Sequence, residues 1–211
     1  MDKALHSVNR ILVVNRYINR PMAALWVRPL KNTPVTPNQV TVVSLIIGIA
    51  GAGFFVSGRP WGFLCGGILV QLSSIADCTD GMLARAKGIS SAYGAYLDIF
   101  LDRINEFFIL TAYVTGWYIY SGNIEMLVLG LTATSLYFLQ IILYYIIKRF
   151  NGNNAEGETN EARALLLFLV FVFGIMGNLE PGIYSLAAVT VVVNVVSVVR
   201  FARIPLRSSN R

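Results

Sequence analysis

The reading of this chain turns on residues 77–102, DCTDGMLARAKGISSAYGAYLDIFLD. Asp77, Asp80, Asp98 and Asp102 stand there in sequence that is otherwise largely apolar. The chain has 11 acidic residues, and apart from these aspartates and Glu106 they lie in the tail, in loops or at loop edges. The spacing predicts two helices. Residues 68–86 are mostly apolar or small, and Asp77, Asp80 and Ala84 fall at i, i+3 and i+7, on one face. Gly94, Asp98, Asp102 and Glu106 step by four and form one stripe of the next helix. A short basic loop, residues 87–91, turns the chain between them, so the two aspartate pairs are expected to face each other across an antiparallel helix pair.

Such carboxylates need compensation. An ionised Asp in the bilayer core costs at least ~2.5 kcal/mol, so four approach ~10 kcal/mol if unpaired and additive. Protonation, basic partners or a metal would each relieve this. The local bases Arg85, Lys87 and Arg103 are too few and partly misplaced. Clustered carboxylates are hard oxygen ligands suited to divalent cations such as Mg²⁺ or Mn²⁺. Two such ions a few ångströms apart are the usual device of phosphoryl chemistry. Gly81 and Gly94 remove side chains where a ligand can approach the backbone.

Composition points to a polytopic membrane protein. The chain has 211 residues, 55% hydrophobic and 13% charged, with a mean hydropathy of +0.62. Cys65 and Cys78 both sit in apolar sequence and read as packing residues, with no disulfide framework. His6 is the only histidine, so zinc chemistry and Ser/His catalysis have little support. The net charge of +6 flanks apolar spans, which argues for a membrane surface and against nucleic acid.

The expected fold is an all-α integral membrane protein with six transmembrane helices and an N-terminal interfacial amphipathic helix. Residues 1–33 form that cytoplasmic juxtamembrane helix, with Val8, Ile11, Leu12, Ile18, Met22, Leu25 and Trp26 at helical spacing and a bend before Pro21. Spans are expected near 37–57, 61–85, 92–120, 124–148, 162–178 and 181–203, each close to the roughly 20 residues that a bilayer core requires. Gly48, Gly51 and Gly53 in the first span read as close helix packing. Trp61, Trp117, Tyr118 and Tyr120 mark the outer interface. The membrane domain runs over 34–205, and 206–211 form a cytoplasmic tail. Basic residues concentrate on the tails and even-numbered connections, against Arg59 alone on the opposite side, so both termini and the aspartates are expected at the cytoplasmic face.

The pattern Asp77-x2-Asp80-Gly81-x2-Ala84-Arg85-x8-Gly94-x3-Asp98-x3-Asp102 resembles, at each of its fixed positions, the signature of the CDP-alcohol phosphotransferase family. Residues 37–41, PNQVT, are similar to that family's entry into its first membrane helix, and residues 66–75, GGILVQLSSI, to archaeal-type inositol-phosphate lipid synthases. The resemblance covers roughly residues 34–205. It implies an integral membrane enzyme that moves a substituted phosphate from a CDP-linked donor, CDP-lipid or CDP-inositol, to an alcohol acceptor and releases CMP. It further implies that Asp77, Asp80 and Asp98 hold two divalent ions, with Asp102 as the base and a further metal contact. Gly81, Ala84 and Gly94 would leave room for the cytidine, Arg85 would meet its phosphate, and Asn38 and Thr41 would add polar contacts. A homodimer is implied by the resemblance alone.

The acceptor is expected to be a phosphorylated polyol, inositol phosphate first and glycerol phosphate second. Lys148 closes the fourth span, Arg163 opens the fifth, and Arg200 and Arg203 close the sixth, all on the side of the aspartates. Converging cations suit a phosphate, although positive-inside anchoring also explains each of these residues singly. A carboxylate-rich helix interface tied by basic residues would account for neither the glycines nor the spacing. A divalent-cation carrier is the non-enzyme alternative, and it has no need of a nucleotide.

The topology is directly measurable. Single cysteines placed in the 151–160 loop and beside Arg59 should label from opposite sides of sealed vesicles; labelling from one side would defeat the six-span arrangement.

Overall fold

The structure, a computed structural model, describes residues 14–151 and 157–202, with backbone alone for 146–151, 157–162 and 196–202. A π-helical turn, Asn15–Asn19, runs into α1 (Arg20–Leu30), followed by α2 (Pro37–Val56), α3 (Pro60–Lys87), α4 (Ala92–Ser121), α5 (Ile124–Asn151), α6 (Gly157–Met176) and α7 (Glu180–Ala202). Each expected span falls on one helix from α2 to α7. Three described segments are long and apolar enough to cross a membrane: α2, α3 and Ile124–Tyr145 of α5. The apolar runs of α6 and α7, Arg163–Met176 and Glu180–Val195, are shorter. At 30 residues α4 is the longest helix, about 45 Å at 1.5 Å per residue, but its first half carries Asp98, Asp102, Arg103 and Glu106.

Local chemistry sets the helix ends around the motif. Thr36 caps α2 through a reciprocal capping box with Gln39, and Pro37 opens the first turn. Gly88 ends α3 at φ 67°, a left-handed cap that an L side chain rarely adopts. The Ser91 hydroxyl then accepts from the Gly94 amide and starts α4. Lys87 straps the preceding loop, donating to the carbonyls of Thr33 (2.6 Å) and Val35 (2.7 Å).

α2 is the keystone. It packs along both α3 and α4, while those two motif helices make few direct backbone approaches to each other. The expected α3/α4 pair is therefore bridged by a third helix. α3 also takes α6 and α1, and α5 pairs with α7 and α4. The approaches are close. An added Cβ at Gly116 of α4 would overlap the Phe55 carbonyl oxygen of α2, and one at Gly51 would lie 3.1 Å from the Gly66 carbonyl oxygen of α3. At Gly48 it would overlap the Asn105 side chain. Gly53 departs from the packing role its sequence suggests: a Cβ there meets nothing within 4 Å, so this glycine is not a packing site.

The burial pattern is inverted relative to a water-soluble domain. The α2 residues Val42, Val43, Ile46, Ile49 and Val56 face outward, while Thr41 and Ser44 are buried. A polar lock, Asn105 donating to Ser73 (2.9 Å) and Ser73 to the Ser44 carbonyl (2.9 Å), joins α4, α3 and α2. Away from the aspartates the core is apolar and aromatic, with Phe63 and Trp117 tilted against each other and exposed Tyr120 packed on both at its edge. Tyr113 ties α4 to the start of α7 by donating to the Leu179 carbonyl at 3.1 Å.

The N-terminal segment docks through amides, which its apolar spacing does not suggest. Asn19 is fully buried; its Nδ2 donates to Ser74 Oγ at 3.0 Å and its Oδ1 accepts from Gln71 at 2.9 Å. Ala23 and Val27 continue this buried face of α1, while Tyr17, Met22 and Leu25 are exposed. Pro21 lies just past the π-helical turn in a helix that continues from it, where it has no N–H to give to the preceding turn. Residues 1–13 of the expected amphipathic helix lie outside the described residues.

Two glycines should respond oppositely to a methyl group. Gly116→Ala should destabilise the protein by about 1–3 kcal/mol through overpacking against the Phe55 carbonyl. Gly53→Ala should be neutral or stabilise by up to about 1 kcal/mol through helix propensity. Thermal unfolding in detergent distinguishes them, and equal responses would contradict the α2–α4 contact.

Candidate active site

The aspartate motif divides into two adjoining sites. One is a carboxylate cluster: single oxygens of Asp77, Asp98 and Asp102 all lie within 4.8 Å of one another. The other is a cavity of about 380 Å³ lined from α2, α3, the 88–91 turn and α4, within the size range of small-molecule sites. Its walls include Asn38, Thr41, Asp80, Gly81, Ala84, Arg85, Gly94 and Asp98. Asp98 belongs to both sites, so a ligand in the cavity can reach the cluster.

The helical register explains the division. Asp80 is 4% exposed and accepts a 2.5 Å hydrogen bond from Thr41 Oγ1, which fixes its carboxylate toward α2. Asp77, one helical turn away, points instead toward α6 and Arg163. Gly81 opens the cavity wall. A Cβ there would meet Arg85 guanidinium nitrogens at 3.6 and 3.8 Å, ordinary contact distances, so packing within the protein does not require glycine. At Gly94 a Cβ would come within 3.2 Å of Asn38 Oδ1 and 3.1 Å of Ser91 Oγ, which holds these walls close.

The cluster has a basic partner that local sequence does not reveal. Arg163, from α6, places Nη1 2.7 Å from Asp102 Oδ2 and 3.3 Å from Asp77 Oδ2, and its Nε pairs with Glu106 Oε1. Glu106 is 1% exposed; its Oε2 meets Arg103 Nη1 at 2.8 Å and accepts from the Tyr137 hydroxyl at 3.1 Å. From sequence, only nearby bases count as partners of the aspartates, and Arg163 falls to the acceptor. Its guanidinium lies against the aspartates, at the end of the cluster away from the cavity. Glu106 was legible as the next step of the four-residue stripe, but its partners Tyr137 and Arg163 come from helices far along the chain. The side chains of Lys148 and Arg200, and all of Arg203, lie outside the described residues.

The cluster suits a divalent cation. Its donors are carboxylate oxygens, the hard ligands that Mg²⁺ and Mn²⁺ prefer. Asp98 Oδ1 is also buried without a hydrogen-bond partner, an acceptor left over after the protein's own bonding.

Outward-facing apolar helices, and a carboxylate cluster that could hold a metal ion beside a cleft, define an all-helical protein with membrane-like helices. The chain belongs to the CDP-alcohol phosphatidyltransferase family, whose profile matches residues 34–201. It is 42% identical over 103 residues to a bifunctional IPC transferase and DIPP synthase of Rubrobacter xylanophilus, covering 49% of this chain and 23% of that protein. Against three bifunctional relatives of that name it spans 23%, 33% and 41% of their length. It is 28% identical over 196 residues to a phosphatidylinositol phosphate synthase of Corynebacterium glutamicum, covering 90% of this chain and 86% of that one. In fold it is similar to Mycobacterium tuberculosis phosphatidylinositol phosphate synthase with CDP-DAG bound, with a TM-score of 0.69 at 20% identity over 89% of this chain and 95% of the other. The same enzyme in complex with manganese and citrate gives a TM-score of 0.69 at 22% identity over 89% and 90%.

The open space beside Gly81 gives a clean test. Gly81→Val should leave thermal stability within about 1 kcal/mol of wild type, since helix propensity improves over glycine, but should abolish metal-dependent binding of CMP. Retained CMP binding would place the nucleotide elsewhere.

Proposed function

We propose that the protein transfers a substituted phosphate from a CDP-linked lipid donor to a phosphorylated polyol, inositol phosphate first and glycerol phosphate second, releasing CMP. The observation that carries this reading is the junction of cleft and cluster at Asp98, with Gly81, Ala84, Arg85 and Gly94 on the cleft side. A divalent-cation carrier would have no use for that cleft. The relatives named as inositol-phosphate lipid synthases support the choice of acceptor.

In this reading the cytidine lies in the cleft against Gly81, Ala84 and Gly94, and Arg85 meets the adjacent phosphate. Asp77, Asp80, Asp98 and Asp102 would hold two divalent ions, Mg²⁺ or Mn²⁺, which supply neutralisation of the pyrophosphate and the leaving group. Thr41 keeps Asp80 oriented. The acceptor hydroxyl oxygen attacks the phosphorus distal to cytidine, and the bond from that phosphorus to the CMP oxygen breaks. Asp102 takes the hydroxyl proton on Oδ1, the oxygen not paired with Arg163, and later releases it to water. Arg163, together with Arg203, Arg200 and Lys148, would receive the acceptor's phosphate.

Six spans, with both termini and the site at the cytoplasmic face, complete the proposal. Exposed Tyr17, Met22 and Leu25 beside Arg16, Arg20 and Arg28 support an interfacial seat for the N-terminal segment. A homodimer follows from the family resemblance, and light scattering of the detergent-solubilised protein measures it.

The deciding experiment incubates purified protein, Mn²⁺ and labelled CDP-lipid with inositol phosphate, glycerol phosphate or free inositol, and identifies the lipid product and CMP. Asp77→Asn, Asp80→Asn and Asp98→Asn should each abolish CMP release. Asp102→Asn should lower kcat by about 10²–10⁴ with donor binding largely retained. Metal flux into liposomes without CMP release would favour the carrier.

A further inference from the structure

We propose that Glu106 is a positioning residue for the acceptor: it anchors Arg163 by its Nε edge so that the Nη edge is presented to the aspartate cluster. This rests on the proposed role of Arg163 as a receiver of the acceptor's phosphate.

The bonding pattern carries the inference. Glu106 is almost fully buried, yet its two oxygens serve separate partners. Among the described residues Oε1 meets Arg163 alone, as an ion pair without hydrogen-bond alignment, and Oε2 is occupied by Arg103 Nη1 at 2.8 Å and the Tyr137 hydroxyl at 3.1 Å. The carboxylate is thus fixed from its own helix and from α5, and the remaining oxygen has a set direction toward α6. Arg163 turns its Nε edge, the part of the guanidinium next to the side-chain stem, to this oxygen as a charge partner. Its Nη1 is left on Asp102 and Asp77. Both of these aspartates are proposed ligands of the divalent ions. Once such ions compensate Asp77 and Asp102, Glu106 is the carboxylate that still holds Arg163, and the Nη donors are released toward an incoming phosphate. Without Glu106, no carboxylate holds the buried guanidinium in place once Asp77 and Asp102 are engaged with the ions.

The test is a double-mutant cycle on the full-length protein in detergent with Mn²⁺, reading KM for the phosphorylated acceptor, kcat, and metal-dependent CMP binding. Glu106→Gln should raise acceptor KM by about tenfold or more, the scale of removing one partner of a buried charge pair, with kcat and CMP binding within about threefold. Glu106→Asp, which retains the charge, should recover part of the loss. Arg163→Ala should raise the same KM, and adding Glu106→Gln to it should change nothing further. If Arg163→Ala raises KM and Glu106→Gln does not, the anchoring role is wrong while the phosphate pocket stands. If Arg163→Ala leaves KM unchanged, the pocket itself is wrong. An equal loss of KM, kcat and CMP binding in Glu106→Gln, or an effect that persists in the Arg163→Ala background, would make Glu106 a purely structural ion pair. Should Glu106→Gln fail to fold, Tyr137→Phe carries the test. It frees Oε2 from one donor and should raise acceptor KM alone; no change would overturn the proposal.

Discussion

Carboxylates carried on apolar helices persist only where cations, hydrogen-bond donors, protons or metal ions compensate them, and that constraint governs this structure. The desolvation of each charge is large, and it is offset only by close, well-directed partners. Arg163 is the one described cation in contact with Asp77, Asp102 and Glu106 together. It comes from α6, so the carboxylates of α3 and α4 recruit a helix distant from both in sequence. The approach of α6 to α3 is further set by glycine contacts, with Gly67 and Gly174 facing each other across the interface.

The compensation is uneven, and the unevenness has chemical consequences. Asp77 and Asp102 have Arg163, and Asp80 has the Thr41 hydroxyl. Asp98 retains a buried oxygen without a partner, at the one place where cluster and cleft meet. A fully neutralised cluster would be a structural ion-pair network with no appetite for a further cation. An entirely unpaired one would be too costly to fold. The intermediate arrangement leaves a carboxylate oxygen of Asp98 with ligand capacity beyond the protein's own hydrogen bonds.

α2 makes this arrangement rigid. It supplies Thr41 and Asn38 to the cleft, Ser44 to the polar lock with Ser73 and Asn105, and Gly48 and Gly51 to the tight contacts that allow α3 and α4 to pack on it. The N-terminal segment adds a brace on the opposite side of α3 through Asn19, Gln71 and Ser74. Hydrogen bonds of this kind hold helices together where outward-facing apolar surfaces contribute little to helix–helix association. The cleft walls are therefore positioned by polar contacts and small residues, and the bulky apolar core lies toward the other end of the bundle.

The sequence by itself determined the helices, their approximate ends and the aspartate motif on two of them. Hydropathy and residue spacing are local properties, so the helices and the 87–91 turn could be read directly, and the regular spacing of four aspartates was enough to carry the family resemblance. The tertiary structure decided which of those residues share a space. A four-residue stripe says that Asp98, Asp102 and Glu106 face one way, but not that Asp80 turns to Thr41 while Asp77 turns to Arg163. Nor does a positive charge at the start of a helix reveal whether it anchors to a membrane, waits for a phosphate or closes on carboxylates. Those outcomes depend on which helices touch, and chain order misleads on that point: α3 and α4 are consecutive, yet α2 lies against both and α6 brings their common cation. Side-chain partners separated by many residues have no periodicity to betray them, and only packing brings them within the few ångströms at which charge decides structure.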